Sequence, residues 1–325
     1  MSKQIGIHTG VTTVLASAVF VLSWSSGFLG AKLGSTQAPV PTLLLWRYVV
    51  VVAALAVALG VARLVRRRRA RAPATADRLV RRPLRPRAAG HHVAVGLLSQ
   101  VGYVLPVYGA IALGVSAGTT SLVDAVQPVL VATLAGPLLG QHVRGLQWAG
   151  LAVAFAGVAA LVGGDLGVGS APAWAYALPG VAVASLVAAT FLERRRPATL
   201  PPGTLLGVHS VVSVVALAAL AVATGTVAPP EDAGFWLTTA FLALVPSLAA
   251  YRLYWALLRR VDVTTLNALL FLVVPTTTVA GAALFGEPFS VVTAGGLALA
   301  GLGVAAVLHG EARRSRGDDD GPHRP

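Results

Sequence analysis

Ionisable side chains stranded inside apolar runs are where this sequence could do chemistry, because a charge at the centre of a bilayer costs at least ~2.5 kcal/mol. Asp124 is the acid that lies well inside such a run. It stands about seven residues from the start of its run and Arg47 about six from the start of its own. At 1.5 Å per residue both reach about 10 Å below a shared face. An Arg47–Asp124 pair at that depth satisfies both charges. It serves equally as a tether between helices, or as a site where substrate or a proton competes for Asp124 and couples loading to helix movement. Thr120, Asp124 and Gln127 fall at i, i+4 and i+7, a polar stripe that ends at Pro128. Pro128 and its counterpart Pro275 free backbone carbonyls near the middle of their runs, which is tolerated where neighbours or cavity water satisfy them. The stripe and both helix breaks therefore point to the lining of a cavity.

Polar aromatics add to the set. Tyr103, with Gln100 and Tyr108, belongs to one run, and Tyr251, Tyr254 and Trp255 share a face of another by i, i+3, i+4 spacing. Tyr254 and Trp255 stand near a run's end, where such rings anchor interfaces; Tyr103 is deeper. Arg252 either snorkels to headgroups or meets an anionic substrate. His209 titrates near neutral pH when exposed, and a hydrogen bond to a neighbouring helix is its plainer role. Trp24, seven residues after Ser17, lines or gates a cavity, or simply packs.

The elements that hold these residues follow from composition. Of 325 residues 56% are apolar and 11% charged, and the mean hydropathy is +0.76, which excludes an ordinary soluble domain. Period-two alternation is missing, so a strand barrel is excluded and a helical bundle remains. Apolar runs predict ten spans, at 11–33, 41–63, 93–113, 117–139, 145–163, 173–191, 203–224, 234–258, 263–285 and 290–309. With no cysteine there is no disulfide framework, thiol catalysis or thiolate metal site.

Net charge +13 invites a nucleic-acid reading, but placement argues otherwise. Eleven of the 25 cations lie between Arg63 and Arg87, directly after an apolar run. With a cytoplasmic amino terminus, the inner segments collect 22 cations and the outer ones only Lys32, a high-contrast positive-inside pattern. The expected layout is a cytoplasmic segment 1–10, a five-helix unit 11–163 with a basic cytoplasmic loop 64–92, a second unit 173–309, and a disordered cytoplasmic tail 310–325. The basic loop suits anionic headgroups of the plasma membrane rather than nucleic acid.

Residues 108–162 repeat as 254–308 at an offset of 146: Tyr108 matches Tyr254, and Gly150, Ala154 and Gly157 match Gly296, Ala300 and Gly303. Pro128 and Pro275 match at 147. Five spans per copy is an odd number, so the second copy enters the membrane upside down, the architecture of alternating-access carriers. The fold class expected is an all-α polytopic membrane protein, ten transmembrane helices in two inverted five-helix repeats. The small-residue stripes suit close helix contact within the bundle or in a homodimer.

The order of features resembles the EamA-type branch of the drug/metabolite transporter superfamily. It comprises Trp24 to Lys32 in helix 1, Arg47 in helix 2, Tyr108, Ala112 and Leu113 closing helix 3, Ser116, Ala117 and Pro128 in helix 4, and Gly286-Glu287 before a glycine-rich helix. The first copy has Gln141 where the family's turn carries an acid, which suits a structural helix-end role for Glu287. The resemblance implies a secondary transporter exporting amino acids or related small metabolites. A channel or lipid-handling protein stands as the alternative. Gly114-Val115-Ser116-Ala117-Gly118 fits the G-x-S-x-G pattern of hydrolases but lacks its strand–turn–helix context. No metal-peptidase, calcium-loop or nucleotide-loop motif occurs, so neither enzyme nor cofactor is expected.

Overall fold

The computed structural model of the chain describes residues 2–69, 86–139, 145–168, 171–195, 200–261 and 263–319. Among these residues every regular element is helical. Helices satisfy each backbone amide within the segment, which a chain this apolar requires. α1 (Ser2–Ser35) and α2 (Val40–Arg69) form a hairpin. α3 (Pro86–Gly96), a π-helical turn (Leu97–Val101) and α4 (Gly102–Ala112) run on as one rod. After α5 (Ala117–Ala125), α6 (Gln127–Leu139) and α7 (Gly145–Val168), a 3-10 turn leads into α8 (Ala177–Arg195), followed by α9 (Pro202–Ala223). α10 (Ala233–Leu242), a second π-helical turn (Ala243–Ala249) and α11 (Ala250–Leu257) form another rod before α12 (Val263–Phe285) and α13 (Val291–Asp319).

Seven helical stretches among the described residues are long and apolar enough to cross a membrane: Thr12–Ser35, Val40–Val65, Gly90–Ala112, Trp148–Leu166, Ala173–Arg195, Pro202–Ala223 and Ala233–Leu257. Leu269–Phe285 and Val291–Gly303 are shorter apolar helices. The run expected as one span at 117–139 is two helices meeting at Val126. Pro128 is the second residue of α6, where its missing N–H is needed by no helical bond, so it starts a helix rather than kinking one. α12 instead continues through Pro275. α13 reaches Asp319, across much of the tail expected to be disordered, because Glu311 to Arg314 are good helix formers. Part of the basic loop 64–92, at 70–85, lies outside the described residues.

Large side chains from α1, α2, α9 and α10, among them Phe20, Leu43, Leu44, Leu217, Phe235 and Leu242, interlock in one core without solvent exposure. The outward faces are apolar as well: Val215 is 66% and Leu237 72% exposed, as on helices whose outer solvent is lipid. Between α4 and α5 the chain turns through Gly114 at φ 100°, a conformation a β-carbon would strain.

α7 and α13 approach so closely that a β-carbon on Gly157 would strike the backbone of Ala300 and the carbonyl of Gly296. One on Gly303 would strike the backbone of Ala154 and the carbonyl of Gly150. As α7 advances from Gly150 to Gly157 its partner recedes from Gly303 to Gly296, so the two helices run antiparallel. The contacts are crosswise, each residue meeting the counterpart of its neighbour's match at offset 146. The small-residue stripes thus serve the interior of the bundle. The two π-helical turns start at Leu97 and Ala243, the same 146 residues apart.

Candidate functional site

A cavity of about 460 Å³ lies between α1, α2, the α3–α4 rod, α8, α9 and the α10–α11 rod. Its size is that of a small-molecule site. Each rod contributes residues of its π-helical turn to the wall, a local distortion common at functional sites. The second turn carries Pro246 and Ser247 into the lining.

One end is organised by Arg47, only 8% exposed. Its Nε donates to Ser247 Oγ at 3.0 Å and its Nη1 to Tyr108 Oη at 2.6 Å. The guanidinium carbon also lies 5.6 Å from the Tyr48 ring centroid and 5.3 Å from that of Tyr108, within cation–π range. Tyr108 Oη donates in turn to the carbonyl of Gly27, and Tyr48 Oη to Gln100 Oε1 at 2.9 Å. Beside this group Tyr103 Oη donates to Asp124 Oδ2 at 3.0 Å, while Asp124 Oδ1 is buried without a hydrogen-bond partner. The expected Arg47–Asp124 pair does not form. Tyr103 takes one oxygen of the acid and neutral groups hold the cation, so each has local partners without reaching the other.

The other end is lined by Glu193, Arg194 and His209, from the end of α8 and the start of α9. Glu193 Oε2 stands 3.7 Å from His91 Nε2. His92 packs between the His91 and His209 rings, and His209 Nε2 is buried without a hydrogen-bond partner.

Of the residues singled out in the sequence, Arg47, Trp24, Tyr103, Tyr251 and His209 meet at this one cavity. Asp124 sits one hydrogen bond behind Tyr103, and Gln127 reaches the wall through Thr190 Oγ1 at 3.4 Å. The run expected to carry the stripe on one helix is divided at Val126, with Thr120 on α5 and Gln127 opening α6. Thr120 is fully buried away from the cavity and donates back to the carbonyl of Ser116 at 2.9 Å. Arg252 is exposed and outside the cavity. Neither Pro128 nor Pro275 lines it; Pro246 does. Trp255, expected as an interface anchor, forms part of the wall beside Tyr251. Tyr48, Ser247, Thr190 and Glu193 were not singled out. The one available signal was Pro246-Ser247 in the middle of an apolar run.

Beyond the Arg47 end the bundle is clamped. Lys32 Nζ, at the end of α1, donates to Glu287 Oε1 at 2.7 Å. The same carboxylate accepts from the Ala117 amide at 3.0 and 3.1 Å, so it caps the start of α5, a site favourable to negative charge. Asp165 Oδ2 accepts from the Ser116 amide at 3.2 Å. The Ser116 hydroxyl accepts from the Thr119 amide at 3.0 Å, an N-cap of α5.

Among the solved structures that match, a protein crystal structure shares this fold at a TM-score of 0.58 and 23% identity, over 94% of this chain and 99% of that one. Among the curated proteins none matches the sequence. The profile of the EamA-like transporter family matches residues 9–163 and again 174–309. Two matches that together span most of a chain whose described elements are helical and largely apolar place it: the protein belongs to the EamA-like transporter family.

Proposed function

We propose that the protein is a secondary carrier of the plasma membrane that exports amino acids or related small metabolites by alternating access. Ten spans form two inverted five-helix repeats, with both termini cytoplasmic. The crosswise glycine contacts between α7 and α13 support the inversion, because matching helices related by an axis in the membrane plane must run antiparallel. The paired π-helical turns at offset 146 support the duplication independently.

The observation that carries the reading is the asymmetry of the cavity. It extends to the exposed Arg194, at the helix ends that bear Arg195, Arg259 and Arg260, and is clamped beyond Arg47 by Lys32 and Glu287. By the positive-inside rule the arginine-rich end is cytoplasmic. A cavity at the meeting of both repeats, read as open toward the arginine end and closed beyond Arg47, matches one of the two states a carrier alternates between. The charge of the basic loop suits anionic headgroups of the inner leaflet. Proton coupling through Asp124 belongs to the same proposal.

Reconstitution into liposomes tests it. Saturable counterflow of a metabolite is the expected result, and single-channel currents from the purified protein would refute it.

A further inference from the structure

We propose that Arg47 is the anchor for a carboxylate, and that the cavity carries small organic acids or amino acids through that group rather than neutral or purely cationic solutes. This deepens the carrier reading, and rests on it for the identity of the cavity as the transport site. Arg47 lines the cavity, is 8% exposed, and no carboxylate among the described residues lies within ion-pairing distance of it. Its two hydrogen-bond partners, Ser247 and Tyr108, are neutral. Asp124 is held by Tyr103, and Glu193 stands with His91 at the other end. A buried cation without an acid is poorly compensated, since the tyrosine faces offset only part of its lost hydration.

Guanidinium presents five N–H donors in a planar fork suited to a two-oxygen acceptor. Ser247 and Tyr108 hold one donor each on Nε and Nη1, which orients the group while leaving other donors available. The cationic partners that a phosphate dianion would need are not gathered beside it, because Arg194 lies at the far end. One positive charge therefore fits one carboxylate. Trp24, Val51, Val104 and Tyr251 line an apolar space for the remainder of the molecule.

The test uses the full-length protein in detergent, with equilibrium dialysis of matched pairs: phenylacetate against phenylacetamide, and hexanoate against hexanamide. Each pair differs only in the charged head. The acids should bind at least ~10-fold more tightly than the amides, as expected when a buried charge loses its partner. Arg47→Gln should remove that preference, Arg47→Lys should keep part of it, and Arg252→Gln, outside the cavity, should leave it intact. If Arg47→Gln does not fold, the acid-to-amide ratio of the wild-type protein still decides. Equal binding of acid and amide, no binding of any probe at millimolar concentration, or tighter binding of phenyl phosphate than of phenylacetate would overturn the proposal. The same probes in counterflow separate the two readings. Arg47-dependent acid binding without any flux overturns the carrier and leaves the anchor. Flux that ignores the difference between acid and amide overturns the anchor and leaves the carrier.

Discussion

Replacing Glu287 with Gln should release the clamp beyond Arg47, and the size of the effect follows from its contacts. The carboxylate is 5% exposed, takes Lys32 Nζ at 2.7 Å and accepts the Ala117 amide at the start of α5. Hydrogen bonds to charged groups contribute about 1.5–3 kcal/mol each. A charge at a helix start adds about 0.3–1 kcal/mol. Gln retains one carbonyl oxygen for the amide but loses the ion pair, and Lys32, whose side chain is 26% exposed, recovers part of its hydration. A net loss of about 2 kcal/mol is expected, which moves an equilibrium between clamped and open states roughly 30-fold. The chain has no cysteine, so a single introduced thiol reports without background. Thr119 is 2% exposed and lines the same small pocket as Glu287. In right-side-out vesicles, Thr119→Cys should react with an impermeant maleimide roughly 30-fold faster when Glu287→Gln is also present, if labelling follows the open population. Adding Lys32→Gln should recover part of the lost stability, because the stranded charge is gone. Equal labelling rates with Glu and with Gln at 287 would refute the clamp.

Asp232→Cys should label from outside in the same vesicles and Arg260→Cys should not; the opposite pattern would invert the assigned orientation. Gly157→Val and Gly303→Val push a side chain into the backbone of the facing helix, so each should lower thermal stability in detergent by about 1–3 kcal/mol or more. Gly163→Ala and Gly295→Ala, where nothing lies within 4 Å, should be neutral or slightly stabilising by the same thermal assay. Asp124→Asn keeps an acceptor for Tyr103 but cannot exchange a proton, so gradient-driven flux should vanish while solute exchange persists. Retained proton-driven flux in a well-expressed Asp124→Asn protein would exclude Asp124 as the proton carrier. Ser247→Ala should weaken acid binding about 10-fold by loosening Arg47, measured by the same dialysis.

Much of the helical framework was legible because burial in lipid is a property of consecutive residues. The run expected at 203–224 is the helix Pro202–Ala223, and that at 263–285 is Val263–Phe285. The repeat was legible too, since Gly150 to Gly157 and Gly296 to Gly303 keep their spacing at an offset of 146. That Arg47 and Tyr103 hold polar partners at the cavity wall is in keeping with local cost, a charge or hydroxyl deep in an apolar run needing a partner.

Which partner it finds is a different kind of information. Depth along the sequence made Arg47 and Asp124 equivalent, yet helix rotation brings Ser247 to Arg47 across 200 residues and Tyr103 to Asp124 across 21. Thr120 is fully buried away from the cavity whereas Gln127 reaches its wall through Thr190, a division the sequence spacing did not show. Arg252 and Tyr251 are neighbours in the chain, but successive residues on a helix point about 100° apart, so one lines the cavity and the other is exposed. The clamp depends on Lys32 and Glu287 meeting across 255 residues. Hydropathy, charge and spacing are written residue by residue; the rotation of each helix about its axis is set by the packing of all the others.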